Sequence, residues 1–313
     1  MSDHHSVFTT VLRKNPGYGF LVALVMYLLL QMFLVAVIAP LLGQIFGLES
    51  TEVEGILSGE LSLAPNGHAY FRLIQFLNQA VTWGLPAWLL ARWLGSPRQI
   101  LSLNRPRPAW LPFLAAGIMV VSIPVVQWVY LPDSVLELPE QFSDLEEMLK
   151  SQEELGQNTL MELFSQGGML SLLANLVVFA LMPAICEELF FRGYMLGHAR
   201  STWNVHVSIW VVAAIFSFIH FQIPGFFARF LLGGFLGYFV VYGGSLFSSI
   251  AAHFTFNGIA ILAQALSDPE TPVPSGEAAR PAWYLALASA FLAAFLIQRY
   301  RQSAASSDSD PSV

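Results

Sequence analysis

The ten residues from Pro183 to Arg192, Pro-Ala-Ile-Cys-Glu-Glu-Leu-Phe-Phe-Arg, set two acids and one base inside an apolar run. Glu188 and Arg192 are four residues apart, which puts them on one helical face with the acid nearer the N-terminus, the better order for an ion pair. Glu187 points about 100° away around the same helix and has no counter-ion on it. Its partner has to come from another helix. Two histidines qualify. His220 follows Phe216 by four residues, so the ring would flank the imidazole and dry it, and His253 precedes Asn257 by four, so imidazole and amide share a face. One carboxylate, two imidazoles and an amide from three helices supply a general base, hydrogen-bond donors and metal ligands. Each also has a plainer reading. A single membrane histidine is more often an interhelical hydrogen-bonding residue, and Glu188 with Arg192 can be a purely structural pair. Glu187 resists that reading, because an unpaired ionisable group in hydrocarbon costs about 2.5–3.5 kcal/mol.

The elements that must carry these residues follow from composition. The 313 residues are 55% hydrophobic and 11% charged, and the mean hydropathy is +0.59. Soluble domains carry about a quarter charged residues, so much of this apolar surface is expected to face lipid. The expected fold is all-α and polytopic, with about eight transmembrane helices and one acidic amphipathic helix outside the membrane. The spans are read at Gly17 to Phe46, Ala69 to Leu94, Ala109 to Leu131, Met169 to Leu196, Val205 to Phe221, Phe226 to Tyr242, Leu246 to Leu266 and Pro281 to Ile297. The first is too long for a signal peptide and lacks a cleavage site after a short core, so it is expected to be retained. With 14 Lys+Arg against 21 Asp+Glu and a single cysteine, Cys186, nucleic-acid binding is not expected and an internal disulfide is excluded.

Charge placement orients the spans, since basic loops stay cytoplasmic. Arg13 and Lys14, then Arg92, Arg98, Arg105 and Arg107, then Arg192 and Arg200, then Arg299 and Arg301 alternate with the acidic stretches Glu49 to Glu60 and Asp133 to Glu162. Both termini are expected in the cytoplasm, in the plasma membrane if the host is bacterial. The apolar residues between Pro139 and Phe164 suit an acidic amphipathic helix packed on outer loops. Gln302 to Val313, rich in Ser and Asp, reads as a disordered tail. The chain thus divides into 1–168, three spans and the acidic segment; 169–266, the core with the charged constellation; and 267–313, the last span and tail. Gln75, Asn78 and Gln79 form a polar patch that interhelical bonding explains as well as a cavity does, Gly233 and Gly237 allow close helix packing, and Cys186 reads as a small buried hydrophobe. His198, Asn204 and His206 read as solvated loop residues.

Taken in order, E-E-x-x-x-R at Glu187 to Arg192, F-x-x-x-H at Phe216 to His220 and H-x-x-x-N at His253 to Asn257 resemble the CAAX prenyl endopeptidase and bacteriocin-processing (Abi, CPBP) family of intramembrane proteases. Gly244 to His253 resembles the small-residue stretch before that family's third motif. The resemblance spans roughly Leu170 to Ala263. It implies that Glu187 activates water as general base and His220 helps to position it, that His253 and Asn257 stabilise the oxyanion, and that Glu188, Arg192 and Phe216 give structural support. The chemistry is reasonable in itself, since a carboxylate in a low-dielectric cavity is a stronger base, and each well-placed donor stabilises an oxyanion by roughly 3–4 kcal/mol. The resemblance also implies a membrane-associated peptide or protein substrate, prenylated in some members. It leaves zinc open: His220 and His253 with a Glu would make a three-ligand site, although there is no helical H-E-x-x-H. The rival classes are a non-catalytic immunity or scaffold protein and a proton-coupled transporter, the latter disfavoured by the lack of internal repeats. One conflict stands out. If Val205 to Phe221 crosses the bilayer outward, His220 lies too far out to meet Glu187.

Overall fold

The computed structural model describes residues 15–58, 66–130, 140–148, 150–151, 155, 162–163, 167–267 and 279–308. Regular structure among them is helical throughout. Helix α1 is Gly17–Ile45 and α2 is the short Ser50–Ser58. Helix α3 runs Gly67–Asn78, passes through a π turn at Gln79–Gly84 and continues as Leu85–Leu94. Then come α4 (Leu111–Trp128), α5 (Met169–Ala199), α6 (Val205–Phe218), α7 (Phe226–Gly243), α8 (Leu246–Leu266) and α9 (Trp283–Asp308). Among the described residues six helices (α1, α4, α5, α7, α8 and α9) are long and apolar enough to cross a membrane. These six answer to six of the eight spans read from the sequence; the other two fall on α3 and α6. Helix α3 is diluted by His68, Arg72, Gln75, Asn78 and Gln79, and α6 has only 14 residues.

Helix α5 lies at the centre, packed on α3 and α8; α8 also packs on α4 and α7, α6 lies along α7, and α9 closes the bundle against α4 and α7. Large apolar side chains such as Leu29, Phe113, Leu170 and Phe291 point outward, as lipid-facing residues do. Glycine sets the α6–α7 spacing. A Cβ on Gly233 would come within 3.0 Å of the Ala213 methyl, and one on Gly237 within 2.9 Å of Ile209. Both therefore serve the close packing expected of them.

Four π turns interrupt these helices, at Leu34–Ile38, Gln79–Gly84, Leu176–Leu181 and Leu189–Met195. In three of them a proline stands two residues past the turn: Pro40, Pro86 and Pro183. A proline ring collides with the carbonyl four residues back and offers no N–H, and the wider π turn makes room for it. Helix α5 thus accommodates Pro183 with a π turn that ends about one and a half turns before Glu187.

Of the acidic helix expected between Pro139 and Phe164, the structure describes a 3-10 turn at Glu140–Phe142 with helical residues up to 148, and isolated positions beyond. Leu163 is one of these and is buried with Tyr70, Ile74 and Ile56. The other residues of that segment lie outside the described set. At the C-terminal end α9 continues through Gln302 to Asp308, where the sequence reads as a disordered tail; residues 309–313 lie outside the described set. The extension has a cause in packing: Tyr300 is fully buried with its hydroxyl donating to the Phe239 carbonyl at 3.0 Å, and Ala304 is buried one turn on.

Pro124 sits inside α4, and the backbone bond one step beyond it, from the Val125 N–H to the Val121 carbonyl, is bridged by a side chain. The Ser289 hydroxyl of α9 donates to the Val121 oxygen at 2.6 Å and accepts from the Val125 N–H at 3.3 Å. With no water in hydrocarbon to replace it, this hydroxyl is the partner of both groups. Ser289→Ala is expected to destabilise the protein by about 1–3 kcal/mol, the cost of leaving buried polar groups unpaired. Thermal unfolding in detergent reads this, and an unchanged midpoint would refute the bridging role.

Candidate active site

Glu187 and Glu188 lie in α5 between two of the π turns, and both are buried. Their surroundings differ sharply. Glu188 is fully enclosed and saturated: one oxygen accepts from Arg192 Nη1 at 2.8 Å and from His253 Nδ1 at 2.9 Å, and the other accepts from the Ser249 hydroxyl. Arg192 is equally buried and spends its second nitrogen on the Gly233 carbonyl at 3.2 Å. Its guanidinium also lies 4.3 Å from the centre of the Phe216 ring, a cation–π contact. The expected Glu188–Arg192 pair is therefore present, and it ties α5 to α7 and α8.

Among the described residues Glu187 has a single hydrogen bond, from Gln79 Nε2 on α3 at 3.1 Å. Its other oxygen lies 4.0 Å from His253 Nε2. His253 thus touches both acids, one through each ring nitrogen. The sequence pattern pointed to histidine as the partner of Glu187; the direct partner is Gln79, with His253 at a longer distance. Because Nδ1 faces the Glu188 carboxylate it carries a proton, so Nε2 is the nitrogen left to face Glu187.

His220 follows the end of α6. Its Nδ1 bonds the Phe216 carbonyl at 2.7 Å, which fixes the ring and leaves Nε2 for other work. Phe216 stands edge-on to both imidazoles, with ring centres 5.0 Å from His220 and 6.1 Å from His253. The depth of His220 turns on the length of α6. Fourteen residues rise only about 21 Å, so its end stays within a hydrocarbon layer of about 30 Å. Past Phe218 the chain turns, with Phe221 at a left-handed φ of 51°, and comes back as α7. The turn is held by the Ser217 hydroxyl on the Phe226 carbonyl at 2.6 Å and by Arg229 Nη1 on the Gln222 side chain at 2.9 Å. Asn257 lies one turn beyond His253 on α8, half-buried, with no side-chain hydrogen bond among the described residues.

Two residues of the cluster went unassigned in the sequence. Ser249 precedes His253 by one turn, a spacing that would have shown it. Gln79 was one polar residue of several on its helix, and nothing in its spacing set it apart. His198 departs from the sequence reading too. It is buried, stacked on Tyr194 at 5.7 Å and pressed against Gly19, while Asn204 and His206 are exposed as expected. Cys186 is buried beside Gly84, as a small apolar residue would be.

Next to the charged cluster lies an apolar cleft of about 390 Å³ between α1, α3, α5 and α6, lined by Tyr27, Trp83, Phe190, Phe191, Met195 and Ile219 among others. Phe191 packs edge-on against Phe216, so the cleft and the two histidines share a wall. As to metal, no group of three His, Cys, Asp or Glu side chains is gathered to hold an ion among the described residues. His253 has both nitrogens turned to the glutamates, and this arrangement does not fit zinc held by His220, His253 and a Glu.

Fold and cluster together define an all-helical integral membrane protein with a buried glutamate–histidine centre. Residues 169–259 match the family model described as Rce1-like, type II CAAX prenyl endopeptidase Rce1-like, in agreement with the resemblance carried by the three motifs. The match takes in Glu187, His220, His253 and Asn257 and covers less than a third of the chain. No curated protein and no solved structure matches it.

The two acids should respond differently to removal. Glu188→Ala leaves Arg192 buried without its counter-ion and is expected to cost about 3–5 kcal/mol. Glu187→Ala loses one hydrogen bond and should cost about 1 kcal/mol. Thermal unfolding of the two variants side by side checks this; equal shifts would overturn the division between a structural and an available carboxylate.

Proposed function

We propose that this protein is an intramembrane endopeptidase in which Glu187 is the general base that activates water. The observation that carries this reading is the contrast between neighbouring carboxylates: Glu188 accepts three hydrogen bonds and Glu187 only one, with its second oxygen turned to His253. A base has to keep a lone pair available, and only Glu187 does. Water entering between Glu187 and His253 Nε2 gives a proton to the carboxylate as its oxygen attacks the peptide carbonyl, and Glu187 passes that proton to the leaving amine as the tetrahedral intermediate collapses and the C–N bond breaks. His220, held by the Phe216 carbonyl, helps to position that water through Nε2. His253 and Asn257 stabilise the tetrahedral oxyanion. For His253 to donate through Nε2 while Nδ1 donates to Glu188, the ring carries both protons. That charge balances the second carboxylate against the single guanidinium of Arg192.

The substrate of this reading is a membrane-associated peptide or protein, cleaved near an end that lies at the membrane, with both termini of the enzyme on the cytoplasmic side. The apolar cleft that shares a wall with the histidines suits a prenyl group attached to such a peptide. This reading calls for no zinc, since His253 turns both ring nitrogens to the glutamates.

Glu187→Gln keeps shape and removes basicity, so it is expected to lower cleavage of a lipidated peptide by 10²-fold or more, on the order of a general-base contribution, with folding retained. Wild-type cleavage by the purified variant would sink the assignment and favour a binding or scaffold role. Treatment with a zinc chelator should leave the wild-type rate unchanged. Reversible loss on chelation, with one zinc per chain by elemental analysis, would overturn the metal-free mechanism.

A further inference from the structure

The basic residues that follow α3 are not only an orientation signal. Arg98, Arg105 and Arg107 line one polar cavity of about 490 Å³ together with Tyr242, Gly244 and Ala304, at the meeting point of the α3–α4 loop, the α7–α8 turn and the end of α9. All three arginines are exposed, and among the described residues none makes an ion pair or side-chain hydrogen bond. Among the described residues no acid lines the cavity. A fourth base, Arg301, lies over the Tyr242 ring at 5.1 Å. Three guanidinium groups around one polar hollow present a fork geometry matched to phosphate oxygens.

The hollow has a fixed frame. The Leu246 N–H donates to the Ser102 carbonyl at 2.9 Å, and the Ser245 hydroxyl donates to the Asn104 carbonyl at 2.8 Å, so the arginine loop is stapled to the turn where α8 begins. Gly244 holds a left-handed φ of 62° there, and a Cβ on Gly243 would collide with the Tyr300 hydroxyl. Leu101 is fully buried at the base of the loop. The loop is thus a built element of the bundle.

Its depth identifies the source of the phosphate. The cavity lies where α3, α7 and α9 end and α4 and α8 begin, and exposed tryptophans mark the same level: Trp93 at the end of α3 and Trp110 just before α4. Exposed tryptophans at helix ends are the signature of the headgroup layer. A cation cluster at that level meets lipid phosphates before it meets soluble ones.

We propose that Arg98, Arg105 and Arg107 form a binding site for the headgroup of an anionic phospholipid. The site is separate from the glutamate–histidine centre, and its test does not depend on catalysis.

The test uses the full chain in neutral detergent, offered equal amounts of phosphatidylglycerol and phosphatidylcholine, with bound lipid read by native mass spectrometry. The wild type is expected to retain phosphatidylglycerol preferentially. The triple variant R98Q/R105Q/R107Q is expected to lose that retention by roughly 10²-fold, as about fivefold per arginine at a membrane surface multiplies to. Arg92→Gln, which removes an exposed base outside the cavity, should keep it. Equal retention of the two lipids by wild type, or undiminished retention by a triple variant that elutes as a folded monodisperse species, would overturn the proposal. If the triple variant fails to fold, single variants replace it, each expected to weaken retention by about fivefold, and three unchanged singles would overturn the site. Inorganic phosphate is added as competitor. Failure of millimolar phosphate to displace the lipid supports a headgroup site, whereas displacement without any lipid preference assigns the cavity to free phosphate instead.

Discussion

The interaction on which the rest of the structure depends is the bond of Glu188 to Arg192, buried together inside an apolar bundle. Two charges removed from water require that every remaining hydrogen-bonding position be filled, or the fold loses more than it gains. The filling recruits the neighbours. Ser249 and His253 fix the face of α8, the Gly233 carbonyl fixes the approach of α7, and the Phe216 ring covers the guanidinium from α6. Four helices are set relative to one another by one ion pair. His253 in particular is held by its bond to Glu188, and its second nitrogen reaches Glu187 only because of that hold.

Backbone devices make this convergence possible. Arg192 can reach a carbonyl of α7 because Gly233 lacks a side chain where Ala213 and the guanidinium already lie. The π turns on either side of the two glutamates shift the helical register by a fraction of a turn each, letting adjacent residues on one helix serve α3 and α8 respectively. The cost falls on backbone hydrogen bonding. In a medium without water it is met locally, by five-residue bonds in the π turns and by the Ser289 hydroxyl in α4.

Much of this was legible in the sequence, and the reasons for what was not are physical. The Glu188–Arg192 pair, the packing of Phe216 on His220 and the α6–α7 glycines all rest on i, i+4 spacing or on residue size, which a one-dimensional pattern records; the contact of Phe216 with His253, on another helix, does not. Hydropathy found the apolar runs, yet a window average does not separate a helix such as α1 from one like α3, where Arg72 and Gln79 turn to protein partners. It also said nothing of where α6 ends, because Ile219 and Phe221 are as apolar as the helix before them while the backbone has already turned. Gln79 could not be singled out from Gln75 and Asn78 because its role depends on which of α3's faces meets α5, a matter of tertiary register. The end of α9 read as disordered because Ser and Asp dominate its composition, yet buried Tyr300 and Ala304 hold that part of the helix against α7.

The shortness of α6 reaches beyond the protein itself. If α6 stands in a bilayer, its 14 residues fall about 9 Å short of a hydrocarbon layer of about 30 Å, and with His220, Gln222 and Arg229 at or just past its end the lipid there would thin or water would dip toward those polar groups. Hydrolysis inside a membrane is limited by the supply of its second reactant. On the proposed endopeptidase reading, a local depression of the bilayer surface beside His220 would bring bulk water closer to the glutamate–histidine centre than the membrane's nominal thickness would allow. The lipid thereby becomes part of the reaction's plumbing, shaped by a helix that stops one and a half turns early.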